Sequence, residues 1–179
     1  MTNNERLKLA LSCGAAKAVM LRRDQLITSP MFRDICKSNG CGKYGRCWVC
    51  PPEIGEIGSL IDSLNRYGDV LWYQSIADIE DSFDIEGMLD AGHAHAQLSQ
   101  RISEALKERG CSGFLHLSCG GCSLCERCAK ADNLPCRHPD KALSSLEGYG
   151  VDVYNTTKGT PLSYINGQNT VTYFSAILF

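Results

Sequence analysis

No stretch of this chain approaches the roughly 18 consecutive apolar residues that a membrane helix needs. Residues Met1 to Lys8 are polar and Lys17 interrupts the next apolar block, so the start does not read as a secretory leader. The Ala10-Leu11-Ser12-Cys13 step faintly resembles a lipoprotein cleavage site, without the apolar region that should precede it. Neither sign of charge is in excess: 18 Lys and Arg stand against 20 Asp and Glu, a net charge of −2. Such a balance offers nothing specific to nucleic acid or an anionic membrane. There is no Gly-x-Gly-x-x-Gly, no P-loop and no Ser/His/Asp pattern, and no repeat, low-complexity segment or linker. These absences lead us to expect a cytoplasmic chain whose thiols stay reduced.

What the chain does have is cysteine, eleven in 179 residues. The count is odd, the chain is not small and no leader is read, so metal ligation is favoured over disulfides. The main run, Ser118 to Pro139, holds Cys119, Cys122, Cys125 and Cys128, then Cys136 after a gap of seven. Repeated Cys-x-x-Cys steps put successive thiolates a few ångströms apart on a tight loop. That suits a cuboidal iron–sulfur cluster, with three corners from the close cysteines and the fourth from a distant one. Zinc sites usually pair two separated Cys-x-x-Cys knuckles, so zinc is the alternative here. A second nest lies upstream, Cys36 and then Cys41-Gly-Lys-Tyr-Gly-Arg-Cys47-Trp-Val-Cys50-Pro51-Pro52. Two nests predict two metal centres.

The rest reads as their scaffold. Length suits one domain over residues 1–179, burying about 70% of its unfolded surface. Thr2-Asn-Asn-Glu5 predicts a capping box opening a helix with Leu7, Ala10 and Leu11 inward. A strand is expected over Lys17–Leu21, a short helix over Pro30–Cys36 and another over 57–67. Asp69–Ala77 predicts a buried strand. Ile85–Arg109 predicts the longest helix, with Met88, Leu89, Ala91, Leu98, Ile102, Ala105 and Leu106 inward. Phe114–Leu117 reads as a strand, 140–148 as a helix and Val151–Tyr154 as a strand. Asn166-Gly167 signals a hairpin between Leu162–Ile165 and Thr170–Phe179. Together these predict an α/β domain: a mixed sheet flanked by helices, a C-terminal antiparallel hairpin and two cysteine-rich metal-binding loops.

Other candidates have structural readings. His93 and His95, two apart on a helix, cannot chelate as an i, i+4 pair would, so surface or packing roles are expected. His116 reads as a sheet residue. His138, near Cys136, reads as a solvated loop residue able to hydrogen-bond a cluster sulfur. Lys130 and Arg137 offset cluster charge. Asp81, Asp84 and Glu86 suit a helix N-terminus, with partner docking as the other reading. Cys13 and Cys111 read as packing residues.

The Cys36…Cys50-Pro-Pro nest, Asp81-Ser-Phe-Asp-Ile-Glu-Gly-Met88, the Cys122…Cys136 run and the closing stretch from Gly148 resemble the predicted metal-binding family called domain of unknown function 2284. The resemblance covers nearly the whole chain. It implies a cysteine-rich metal-binding protein with no settled reaction, and a low-potential redox task in anaerobes near corrinoid-dependent methyl transfer. The family pattern falls on Cys36, Cys41, Cys50, Cys122, Cys125, Cys128 and Cys136, while Cys47 and Cys119 depart from it. The resulting expectation is two [4Fe–4S] clusters passing single electrons to a redox partner protein. Cys122, Cys125, Cys128 and Cys136 would hold one. Cys36, Cys41 and Cys50 would hold the other, with Cys47 as fourth ligand and Cys119 spare. Exchange of ligands between nests stays open. A zinc-binding interaction module and an enzyme with an open-site cluster are the alternatives.

Overall fold

A computed structural model describes all 179 residues. In chain order the elements are α1 (Asn3–Ser12), β1 (Lys17–Arg22), α2 (Phe32–Lys37), α3 (Ile57–Ser63) and β2 (Asp69–Asp78), then α4 (Ile85–Glu108) and β3 (Leu115–Ser118), and finally β4 (Ser144–Ser145), α5 (Val153–Lys158) and β5 (Thr170–Leu178). The strands form one five-stranded mixed sheet in the order β1-β2-β5-β3-β4. Every neighbouring pair is antiparallel except β3 and β4, which run parallel. The α/β class therefore holds.

The β-branched and aromatic residues of β2 suit its place inside the sheet, between β1 and β5. Val70 and Trp72 face one side, where they meet Phe174, Ala176 and Leu178 of β5 and the buried Leu26, Leu64, Leu146 and Val151. Leu71 and Tyr73 face the other, against Leu98, Ile102 and Leu106 of α4 and Leu9 of α1. Both faces are covered, so β2 reads as a continuous apolar run. Thr2 and Glu5 form the expected capping box, with Thr2 N–H donating to Glu5 Oε2 at 2.7 Å and Glu5 N–H to Thr2 Oγ1 at 3.3 Å. Leu9 is buried in place of Leu11, which is exposed.

α4 starts where Asp84 accepts from the Gly87 amide at 2.8 Å and the Glu80 amide at 3.0 Å. A Cβ at Gly87 would overlap the Asp84 carboxylate, so this cap requires glycine there. Asp81 accepts from Phe83 N–H at 2.7 Å. Asp81 and Asp84 are thus held by local backbone bonds, as the capping reading expected. Leu89 is a correction: it is exposed, because the first turns of α4 are anchored through Tyr173 Oη, which donates to the Met88 carbonyl at 2.7 Å. Further along, the sheet-facing side of α4 is partly polar, with His95, Ser99 and Ser103 all buried.

Three expected elements take other forms. Residues 162–165 form no strand. β5 is antiparallel as expected, but it pairs with β2 along Thr170–Leu178 and with β3 at Ala176–Leu178, not with residues 162–165. Asn166 instead closes a local turn, its amide donating to the Ser163 carbonyl at 2.9 Å and to Thr172 Oγ1 at 3.0 Å. Of Val151–Tyr154 only Val151 pairs, with Thr28. Asp152 then accepts from Asn155 N–H at 2.9 Å and starts α5. The helix expected over 140–148 is β4 and a 3-10 turn at Glu147–Tyr149, since the Leu146 amide donates to the Ser118 carbonyl at 2.8 Å.

Candidate metal centre

Turn chemistry shapes the first cysteine loop. Asn39, Gly42 and Gly45 take positive φ, and Asn39 Oδ1 accepts from the Tyr44 amide at 3.0 Å. Gly45 N–H donates to the Pro51 carbonyl at 2.9 Å and closes the loop on itself. Cys36 sits in the last turn of α2, where the chain enters this loop. The second loop leaves β3 directly at Ser118, turns at Gly120 with φ 60°, and ends its 3-10 turn on Asn133 with φ 54°.

The two loops pack together. The Trp48 indole N–H donates to the Leu134 carbonyl at 2.8 Å. The Lys130 ammonium lies 4.5 Å above the Trp48 ring and 3.0 Å from Glu53 Oε1. A Cβ at Gly121 would come within 2.7 Å of the Lys43 side chain. What the sequence presents as two nests is one composite region.

Cys47 and Cys50 are its buried members, Cys41 is exposed, and Cys36, Cys119, Cys122, Cys125, Cys128 and Cys136 are half-buried. Around the Cys47 sulfur stand the Cys50 thiol, the amides of Val49 and Cys122, and the Cys128 thiol. Its thiol is pushed down to about 6, chiefly by Cys50, with burial opposing. Cys50 is pushed up by the same contact and by burial, so this pair shares one proton between two sulfurs. Cys122 is raised by burial, accepts from the Leu124 amide, and feels Cys47, Cys128 and Cys136. Cys136 Sγ accepts from the His138 backbone N–H at 3.4 Å. Three cysteines thus take the amide two residues ahead: Val49 for Cys47, Leu124 for Cys122 and His138 for Cys136. Amides aimed at sulfur favour the thiolate.

Cys36 is raised by burial, with Arg33 opposing and Cys41 and Glu147 adding. Cys119 stands apart from the sulfurs around Cys47 and is pushed up to about 12 by burial, then by Glu147. Cys125, with Cys119 and Cys122, lines a cavity of about 650 Å³ that also takes in Lys43, His93 and Glu126. Cys13 and Cys111 pack against the core between α1, α4 and the sheet.

The donor set suits a thiophilic metal group in its chemistry: clustered sulfurs, inward amides and a buried cation. That cation is Arg33, only 6% exposed, which gives Nη1–H to the Gly55 carbonyl at 2.7 Å while its Nε and Nη2 donors have no partner. Idle buried guanidinium donors beside Cys36 accommodate a negatively charged group. No three His, Cys, Asp or Glu side chains converge as a single ion requires. Arg33 and Glu147 were not legible in the sequence, since neither sits in a motif. His93 is exposed at the cavity, while His95 and His116 are buried under α4. Lys130 is engaged by Glu53 and Trp48, and Arg137 donates to the Arg127 carbonyl at 2.9 Å.

The family model described as predicted metal-binding protein (DUF2284) matches residues 19–179, and the chain belongs to that family. No curated protein and no solved structure matches it. No helix is long and apolar enough to cross a membrane.

Proposed function

We propose that this member of a predicted metal-binding family holds two [4Fe–4S] clusters across its docked loops and passes single electrons to a redox partner protein. The observation that carries the reading is the placing of Cys47 and Cys50 of one loop against Cys122 and Cys128 of the other, with backbone amides aimed at the sulfurs. Cys36, Cys41, Cys47, Cys50, Cys122, Cys125, Cys128 and Cys136 are the eight ligands, and the contact of Cys47 with the second loop favours sharing of ligands between loops. A single zinc ion needs four sulfurs each about 2.3 Å from one point. A cubane cluster is several ångströms across and needs thiolates on several sides of it, which the packing of Cys47 and Cys50 against Cys122 and Cys128 would supply.

When bound, the clusters supply one-electron carriers whose potential the protein sets through hydrogen bonds to sulfur, net charge and solvent exposure. The residues perform that setting. Val49, Cys122, Leu124 and His138 donate amides to sulfur, and Arg33 offers the charge that a cluster with four thiolates, about −2 in total, calls for. Cys41, Met31 and Ile35, all exposed, give this region an edge for a docking partner. The cavity beside Cys122 and Cys125 favours a second reading, in which electrons pass to a small molecule bound there.

EPR of the anaerobically purified chain, before and after dithionite, tests the reading. A signal of reduced cubane clusters that appears with dithionite is expected. A colourless, EPR-silent protein carrying zinc would end it.

A further inference from the structure

The polar seam between α4 and the sheet runs without a break from one cavity to another. Ser103 and His116 line a cavity of about 370 Å³ that also takes in Lys107 and Asp140. From there Ser103 Oγ lies 2.6 Å from His116 Nδ1, and His116 Nε2 lies 2.8 Å from Tyr73 Oη. Tyr73 Oη lies 2.8 Å from Ser99 Oγ, which lies 3.2 Å from Ser118 Oγ. Ser118 is in the wall of the cavity beside Cys122 and Cys125. A branch continues through Ser175 Oγ, 3.2 Å from Ser118 Oγ and 2.7 Å from His95 Nε2, to Ser75 Oγ, 2.7 Å from His95 Nδ1.

Every member is both a donor and an acceptor, and Tyr73, His116, Ser99, Ser103 and Ser118 are all buried. A fully satisfied network of this kind also fixes α4 on the sheet. Here seam and cavities coincide: the chain of hydroxyls begins in one cavity wall and ends in the other.

We propose that Ser103, His116, Tyr73, Ser99 and Ser118 form a proton relay that connects the smaller cavity with the one beside the cysteine loop. One proton enters at Ser103 from cavity water, and Ser103 gives its own to His116 Nδ1. His116 gives the Nε2 proton to Tyr73, Tyr73 gives its proton to Ser99, and Ser99 gives its proton to Ser118. Ser118 releases its proton into the larger cavity. One proton goes in and one comes out, and every residue ends neutral with its bond direction reversed. Rotation of the hydroxyls and return of the imidazole tautomer reset the chain. The relay rests on this geometry alone; its coupling to electrons rests on the iron–sulfur reading.

Threonine and valine have the same shape and differ in the hydroxyl, so they separate relay from packing. Ring-proton exchange of His116 with solvent is read by NMR in the purified full chain labelled with 15N-histidine. Ser175 Oγ offers a detour around Ser99, since it lies 3.3 Å from Ser99 Oγ and 3.2 Å from Ser118 Oγ, so it is substituted as well. The relay predicts exchange at least tenfold slower in Ser99→Val/Ser103→Val/Ser175→Val than in Ser99→Thr/Ser103→Thr/Ser175→Thr, because the valines remove the hydroxyls that link His116 and Tyr73 to either cavity. Equal rates in the two variants overturn it. Should the triply substituted chain not fold, Ser99→Val/Ser175→Val and Ser99→Thr/Ser175→Thr carry the same comparison of His116 exchange, with slower exchange in the valine variant supporting the relay and equal exchange overturning it.

Discussion

Anaerobically reconstituted Cys47→Ser is expected to lose about half of its iron or to hold an oxygen-labile cluster, whereas Cys119→Ser keeps the wild-type content. Cys47 is the least exposed of the cysteines and touches both loops: Cys50 on its own, and Cys122 and Cys128 on the other. Its sulfur already collects the amides and thiols that favour a thiolate ligand. Cys119 has the same Cys-x-x-Cys spacing to Cys122, yet burial holds its thiol protonated at the cavity wall beside Glu147. Because metal and fold are coupled in such loops, Cys47→Ser also lowers the melting temperature. Iron and sulfide analysis of both variants checks this. Full iron in Cys47→Ser and loss in Cys119→Ser would move the fourth ligand to Cys119 and contradict the reading of the site.

Acid is expected to destabilise the chain well before its carboxylates titrate. Burial pushes His95 down to about 4 and His116 down to about 3, from an ordinary value near 6.5. Both rings are therefore neutral in the folded chain at pH 7. As pH falls below about 6.5 the unfolded chain takes up protons that the folded chain refuses. Stability present above that pH is lost at about 1.4 kcal/mol per pH unit for each histidine. The loss continues until pH passes about 4 for His95 and about 3 for His116. Between pH 7 and pH 5 the pair removes roughly 4 kcal/mol, a large share of a typical domain's stability. Urea midpoints at pH 7, 6 and 5 measure it. A midpoint unchanged over that range would show that the folded protein admits protons to both rings.

Those histidines also mark the limit of what the sequence discloses. α4 was legible because Leu98, Ile102 and Leu106 recur at helical spacing, and β2 because Val70 to Tyr73 is a dense run of strand formers. Apolar spacing alone does not register His95, Ser99 and Ser103, whose burial depends on hydroxyls supplied by distant strands. The same holds at the hairpin. Asn166-Gly167 is a genuine turn, but a turn signal does not fix the pairing partner, and β5 pairs with the distant β2 along its whole length. Val151-Asp152 reads as a strand until Asp152 finds the Asn155 amide.

At the site, the cysteine spacings disclose the donor chemistry, and the positive φ positions fall on glycines and asparagines as turn chemistry requires. The docking of the loops does not follow from spacing. It depends on Trp48 reaching the Leu134 carbonyl and Lys130 reaching both Trp48 and Glu53. Arg33 and Glu147 enter only through that docking, from α2 and from the turn after β4.

Metal and inorganic sulfide analysis of the anaerobically purified chain is the most direct measurement of the central claim. The proposed set of eight cysteine ligands predicts about eight irons and about eight sulfides per chain, the content of two cubane clusters. Stoichiometric zinc without sulfide would contradict it.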